Sequence, residues 1–195
     1  MIFRADRPFS RSPGMPDITT RPLSSGDLHD FRSIRLEALQ RAPDAFGSVH
    51  EIEVVRPLQA FEDRLRGSLV VGAYHGGQIV GMAGLAFDAR PKDKHKGALW
   101  GMYVRPEVQR RGVGAALIEA VIGHAPEGIE QVTLGLVKGN EAAHALYRRF
   151  GFVEYGVEPR ALKTPDGYVD EILMIKFLEG SPGNSEQAGP LRSRL

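Results

Sequence analysis

Apolar positions along this chain follow two rhythms, helical spacing and strict alternation, separated by glycine, proline and polar breaks. After a short extended stretch, DITTRPL, the segment SSGDLHDFRSIRLEALQ places cap-type Ser and Asp before Leu28, Phe31, Ile34 or Arg35, and Leu39. That spacing predicts a helix, closed by Pro43. Leu58, Phe61 and Leu65 repeat the period and predict a shorter second helix, with APDAFGSVHEIE as an irregular connection between the two. SLVVGAYHGGQIVGMAGLAF reads as a hairpin, because Gly76 and Gly77 supply the positive φ of a tight turn between two apolar runs. GALWGMYV is a third strand that ends where RPEVQRRGVG begins. Val113, Ala116, Leu117, Ala120 and Val121 then form one apolar face of a helix. EQVTLGLV is a further strand. NEAAHALYRRFGF is a helix with Asn140 as its cap, Ala143, Leu146, Tyr147 and Phe150 on one face, and Gly151 as its stop. FVEYGVEP and YVDEILMIKF close the chain as strands joined through the turn TPDGY. The predicted order is β α α β β β α β α β β, without an internal repeat.

Composition narrows the class. The 195 residues, 42% apolar and 25% charged, suffice for one domain with a real core. The net charge is +1 with both signs interspersed, so bulk electrostatics points to neither a nucleic acid nor a membrane surface. No apolar run has the length of a signal peptide core or a membrane span. Cysteine is absent, which removes disulfides, thiolate zinc sites and a cysteine nucleophile, and fits a reducing, cytoplasmic compartment. The six histidines show no metal-ligand spacing, and no metal is expected. Residues 1–16 read as a disordered lead-in, with Met15 as a candidate start. Residues 179–195 read as a disordered tail, and residues 17–178 as the folded unit.

One stretch breaks a local rule. Arg110 and Arg111 stand directly before a helix, at the end that already carries partial positive charge. There each uncompensated cation costs about 0.3 to 1 kcal/mol. An anion would reverse that cost: helix N-termini expose unpaired N–H groups, and Gly112 and Gly114 let backbone approach a phosphate closely. The loop lacks the Lys-Ser/Thr of a Walker A motif and the third glycine of a dinucleotide fingerprint, so neither nucleotide template fits.

The segment Gln109-Arg110-Arg111-Gly112-Val113-Gly114 instead resembles the Gln/Arg-x-x-Gly-x-Gly/Ala phosphate motif of the GNAT superfamily, the acyl-CoA-dependent N-acetyltransferases. A second signature of that family, Asn-x-x-Ala-x-x-Leu-Tyr-x-x-x-Gly-Phe, is met by Asn140, Ala143, Leu146, Tyr147, Gly151 and Phe152. The resemblance implies a single α/β domain with a mixed, mostly antiparallel, splayed sheet flanked by helices. It implies that backbone N–H groups from Gln109 to Ala115 hold the pyrophosphate of acetyl-CoA, through Gln109, Arg110, Arg111, Gly112, Val113, Gly114 and Ala115. It further implies that Met102 and Val104 offer backbone groups to the acetyl carbonyl and the pantetheine arm, that Asn140 contacts that arm, and that Tyr147 protonates the departing thiolate.

The general base is the part the resemblance leaves unassigned. The position some members fill with glutamate is Ala98 here, and ALWGMYV has no carboxylate. Asp170, Glu171, Glu51 and Glu53 are the carboxylates to inspect, and Asp170 and Glu171 point to opposite faces of their strand. Trp100, Phe46 and Tyr103 read as core or pocket wall, and His144 is the one histidine near Asn140. The acceptor surface is expected from the RAPDAFGSVHEIEVV connection and the EPRALKTPDGYVDE hairpin. Their mixed charge leaves a small-molecule amine as first choice, then a protein N-terminus or lysine. A non-catalytic acyl-CoA sensor is the alternative outside enzymes. An exposed strand end near the C-terminus leaves room for a homodimer.

Overall fold

Glycine at the turn and β-branched residues on either side produce the most regular part of the molecule. In the computed structural model, which describes residues 18–87 and 89–178, β2 (Ser68–His75) and β3 (Gln78–Phe87) pair antiparallel around Gly76 and Gly77. Both glycines hold positive φ, 56° and 79°. To this hairpin are added β1 (Ile18–Pro22), β4 (Lys96–Val104), β5 (Gln131–Val137), β6 (Val153–Thr164) and β7 (Gly167–Phe177). Together they form one seven-stranded sheet in the order β1-β2-β3-β4-β5-β7-β6. All neighbours are antiparallel except β4 and β5.

The helices divide between the two faces of the sheet. On one side lie α1 (Leu28–Arg41) and α3 (Leu58–Gly67), burying Phe31, Ile34, Phe61 and Leu65 against Val70, Met82 and Tyr103. On the other lie α4 (Val113–Gly123) and α5 (Glu141–Arg149). Val113, Leu117, Val121 and Tyr147 meet Ala83, Leu85, Leu134 and Met174 there. Each completely buried large aliphatic side chain in these layers contributes roughly 1.5 to 3 kcal/mol by leaving water.

Two expectations need correction. The connection between the first two predicted helices is not wholly irregular: it contains a 3-10 turn, Pro43–Ala45, and a short helix α2, His50–Val54. A five-residue helix is too short to hold by itself, and its anchor is tertiary. Glu53 on α2 is 1% exposed and accepts a bidentate pair of bonds from Arg35 of α1, at 2.7 and 3.1 Å, plus one from Arg64 of α3 at 3.2 Å. Strand β6 also runs past EP to Thr164, through a bulge near Arg160. Residues 1–16 and 179–195, read above as lead-in and tail, lie outside the described residues.

Candidate active site

The site begins with an irregularity in β4. Trp100 pairs with Gly84 and Tyr103 with Met82, so Gly101 and Met102 together oppose the single residue Ala83. Such a bulge inserts one residue and reverses the alternation of side chains beyond it. Leu99 faces the α4 and α5 side and Trp100 the α1 and α3 side, yet Met102 and Val104 return to the α4 side while Tyr103 joins the α1 core. Gly101 adopts φ 67°, a conformation that costs little without a Cβ.

Past the start of the strand, β4 leaves its neighbour. It pairs with β5 only across Lys96–Ala98 and Gln131–Thr133. The gap that opens holds a cavity of about 100 Å³. Phe46, Trp100, Met102, Gly135, Asn140 and Tyr147 are among the residues that line it. Met102 is thus brought together with Tyr147 of α5 and its cap Asn140, far from it in sequence.

Beyond β4 the chain forms a row of unused donors. The Arg105 N–H bonds to Val80 O at 2.9 Å, the last tie to β3, and a 3-10 turn, Pro106–Val108, follows. Gln109 turns its side-chain amide back to Val104 O at 3.0 Å, while its own N–H is held by Pro106 O at 3.3 Å. From Arg110 to Ala115 no backbone N–H has an acceptor among the described residues. The first helical bond of α4 runs from Ala116 to Gly112. Gly112 caps α4 with φ 79° and no side-chain bond, and the first turn carries no acid. Arg110 also holds positive φ, 59°. A non-glycine residue in that region costs about 1 to 2 kcal/mol, and successive N–H groups in such turns form a concave anion nest. Arg110 and Arg111 are exposed and make no ion pair among the described residues. Gly114 packs closely: a Cβ there would meet Leu146 Cδ2 at 3.0 Å and Met102 Cε at 3.5 Å.

On α5, Asn140 fills its predicted capping place, accepting from the Ala143 N–H at 3.2 Å, and it also lines the cavity. Tyr147 lies two turns on, 6% exposed, with its ring edge-on to Phe152 at 5.6 Å. Its hydroxyl makes no hydrogen bond among the described residues. Burial pushes its pKa up, so the phenol stays protonated well above neutral pH.

The other candidates sort by their partners. Burial alone would raise the Glu53 carboxyl, but hydrogen bonds from Arg35 and Ser48 and the charges of Arg35 and Arg64 more than offset it and hold it at about 2. Glu53 is therefore a structural anion. Its partner Arg35 lies 5.2 Å from the Phe46 ring centre, and both Arg35 and Arg64 lie within 6.0 Å of the Trp100 ring centre. The triad thus sets the cavity's aromatic wall. Phe46 and Trp100 are walls, as read from sequence. Tyr103 is core, its hydroxyl bonded to Glu37 at 3.1 Å and its pKa pushed up to about 12 by burial and then by Glu37. Asp170 Oδ1 accepts the N–H of Arg160 at 2.9 Å and so braces the β6 bulge. Glu51 lies exposed on α2. His144 does not reach the cavity; its Nε2 lies 2.8 Å from Glu154 Oε1. Glu171 does not line the cavity itself, but its carboxylate lies over Gly135, which does. Among the described residues no cluster of His, Asp and Glu has a metal-binding arrangement, and no helix is long and apolar enough to cross a membrane.

A mostly antiparallel sheet whose one parallel pair parts over a cavity, with a nest of free N–H groups beside the split, defines the acyl-CoA-binding architecture that the two sequence motifs imply. The sequence profile described as "Acetyltransferase (GNAT) family" matches residues 32–152, and the chain belongs to that family. Among curated proteins it is similar to the [Ribosomal protein bS18]-alanine N-acetyltransferase of Escherichia coli (strain K12), 36% identical over 77 residues, 39% of this chain and 52% of that one. It is also similar to the L-methionine sulfoximine/L-methionine sulfone acetyltransferase of Pseudomonas aeruginosa, 30% identical over 94 residues, 47% of this chain and 54% of that one. The chain spans about half the length of these relatives. Its fold is shared by yncA, a putative acetyltransferase from Salmonella typhimurium solved with its cofactor acetyl-CoA, at a TM-score of 0.73 and 20% identity, covering 87% of this chain and 99% of that one.

Proposed function

We propose that this chain transfers the acetyl group of acetyl-CoA directly to a primary amine, with a small molecule as the acceptor. The observation that carries this reading is the parting of β4 from β5 beyond Ala98, which sets the cavity, Met102 and Tyr147 beside an unpaired row of N–H donors. The residues fit the cosubstrate. A pyrophosphate suits the N–H groups of Arg110 to Ala115 with the two free guanidinium groups, and the pantetheine arm suits the split between the strands. In this reading the backbone of Met102 and Val104 bonds the acetyl carbonyl and the arm, and an N–H aimed at the thioester oxygen stabilises the developing oxyanion. Asn140 contacts the arm. Tyr147, kept protonated by burial, donates its proton to the departing thiolate.

A chain without cysteine and without a nucleophile elbow favours attack by the amine itself over a covalent enzyme intermediate. The cavity, of only about 100 Å³, favours a small acceptor. Leu162 of the β6–β7 hairpin lies 3.5 Å from where a Cβ on Gly47 would stand, so the hairpin reaches the connection that carries Phe46. The E. coli relative supports a second reading, acetylation of a protein N-terminus, and the exposed Val49, Ile52 and Val55 beside α2 give a peptide somewhere to lie. The reading also includes a cytoplasmic setting, where the cosubstrate is available, and a homodimer through the exposed β6 edge.

Thiol release from acetyl-CoA, measured against amino acids, polyamines and peptides with free N-termini, tests the proposal. Acceptor-dependent release with intersecting initial-rate lines is expected. Coenzyme binding without release by any amine would favour a sensor, and tighter thermal protection by ATP or NAD than by coenzyme A would favour a nucleotide enzyme.

A further inference from the structure

The acetyltransferase reading leaves the acceptor's proton without a destination, because β4 carries no carboxylate facing the split. The carboxylates singled out in the sequence are mostly committed elsewhere. Glu53 is locked between two arginines, Asp170 braces Arg160, and Glu51 stands on the outer side of α2. Glu37, nearer the phosphate loop, is held by Arg105 at 2.7 Å.

Glu171 differs from all of these. Across the β5–β7 pair it stands opposite Val137, and its side chain folds back over Gly135. Glu171 Oε2 occupies the space where a Cβ on Gly135 would have to go. With glycine at that point of β5, the carboxylate can rest there; a side chain would push it aside. The alternation of β5 puts Leu134 and Leu136 into the α4 and α5 core and Gly135 on the opposite face, the side of Trp100 and Phe46. Tyr147 approaches the same cavity from the α5 side. A proton acceptor and a proton donor therefore flank the gap from opposite faces of the sheet. Glu171 has no hydrogen bond or ion pair among the described residues.

We propose that Glu171 is the general base of this site, its carboxylate resting on the bare backbone of Gly135 beside the cavity and taking the proton of the acceptor ammonium there. The proposal rests on the acetyltransferase reading above. In becoming an amide, a primary ammonium loses two protons. One goes to Glu171 and from there to solvent, freeing the nitrogen lone pair to form the C–N bond with the acetyl carbon. As the C–S bond breaks, the thiolate takes the Tyr147 proton, and the second nitrogen proton restores the phenol. One proton is released overall and no oxidant or reductant is required.

The surroundings suit this role. Glu158 of β6 stands directly opposite Glu171, β5 presents no charged side chain between Gln131 and Val137, and the turn Pro43–Ala45 packed near β5 adds Asp44. Burial, and then the like charge of Glu158, push the Glu171 carboxyl above its ordinary value, the direction that strengthens it as a base.

The test uses the full chain, acetyl-CoA and the amine panel, between about pH 5 and 9. Glu171→Gln should lower kcat/KM at least ~10²-fold and flatten the acidic limb of the pH profile, while coenzyme A binding by calorimetry is unchanged. Glu158→Gln should move that limb to lower pH, and the carboxyl carbon of Glu171, followed by NMR, should titrate at lower pH in the same variant. If Glu171→Gln fails to bind coenzyme A, Gly135→Ala, which displaces the carboxylate without removing it, should produce the same loss of the limb. Undiminished turnover in Glu171→Gln, or a limb that Glu158→Gln does not move, overturns the assignment. Absence of thiol release by the unmodified protein with every amine instead overturns the acetyltransferase reading itself.

Discussion

The arginine-glycine loop before α4 and the aromatic wall of the cavity are built in opposite ways. The loop is one continuous run of chain, Val104 to Ala115, and what it presents is backbone: free N–H groups held in shape by two residues of positive φ, Arg110 and Gly112. The wall is made of side chains gathered from distant places. Phe46 and Trp100 are set by Arg35 and Arg64, which are themselves set by Glu53. A loop of the first kind depends on local conformation and keeps its shape when residues other than its glycines change. A wall of the second kind depends on buried charge, so one substitution disturbs several elements at once. The contrast also suits the division of labour proposed here, an unvarying cosubstrate on one side and a particular acceptor on the other.

The largest expected effect crosses both halves. Tyr147→Phe should reduce kcat by roughly 10² to 10⁴ and leave acetyl-CoA binding nearly intact, measured by steady-state kinetics beside calorimetry. Normal turnover in this variant would end the account of Tyr147 as the acid.

Next in size is the aromatic wall. Glu53→Ala leaves Arg35 and Arg64 facing each other in a buried space and should cost about 3 to 5 kcal/mol in urea unfolding. The same pair gives a pH signature. Because the folded carboxyl lies at about 2 against an ordinary value of 4.5, its stabilisation is complete above that ordinary value and fades as pH falls toward 2. Unfolding curves between those limits should steepen in the unmodified protein and be flatter in Glu53→Gln. A Glu53→Ala variant as stable as the parent would show that the wall does not depend on the triad.

The loop should respond differently. Replacing Arg110 and Arg111 together by Ala should weaken coenzyme A binding about tenfold or more, as expected for the loss of charge-assisted hydrogen bonds. Stability of the empty protein should hold or rise, because two cations leave a helix N-terminus. Unchanged coenzyme binding would mean that backbone alone supplies the site. The smallest effect should come from Arg110→Gly, which relieves the positive φ and should raise the melting free energy by up to about 1 kcal/mol. Comparison with the double Ala variant then separates the arginine's charge from its strained backbone.

How much of this was legible beforehand differs between the same two regions. The loop, the Asn140 cap and the face of α5 bearing Tyr147 were readable because each is a local pattern within a dozen residues. The bulge at Gly101 had a signal, a glycine inside an apolar strand, but its consequence for Met102 and Trp100 depends on the pairing with β3. Helix α2 had none, since its five residues cohere only through arginines on two other helices. Glu53 and Glu171 looked alike as carboxylates to inspect, and their surroundings separate them completely.

By itself, then, the sequence determined the element order apart from α2, the two motifs and the family they belong to, because periodicity, capping and glycine placement act over short range. The tertiary structure alone decided which face each β4 side chain takes, where the parallel pair parts, and which carboxylate is neutralised by arginine and which lies over Gly135 without a partner among the described residues. Those outcomes depend on register and on contacts between residues far apart in the chain, and no pattern within a single segment encodes them.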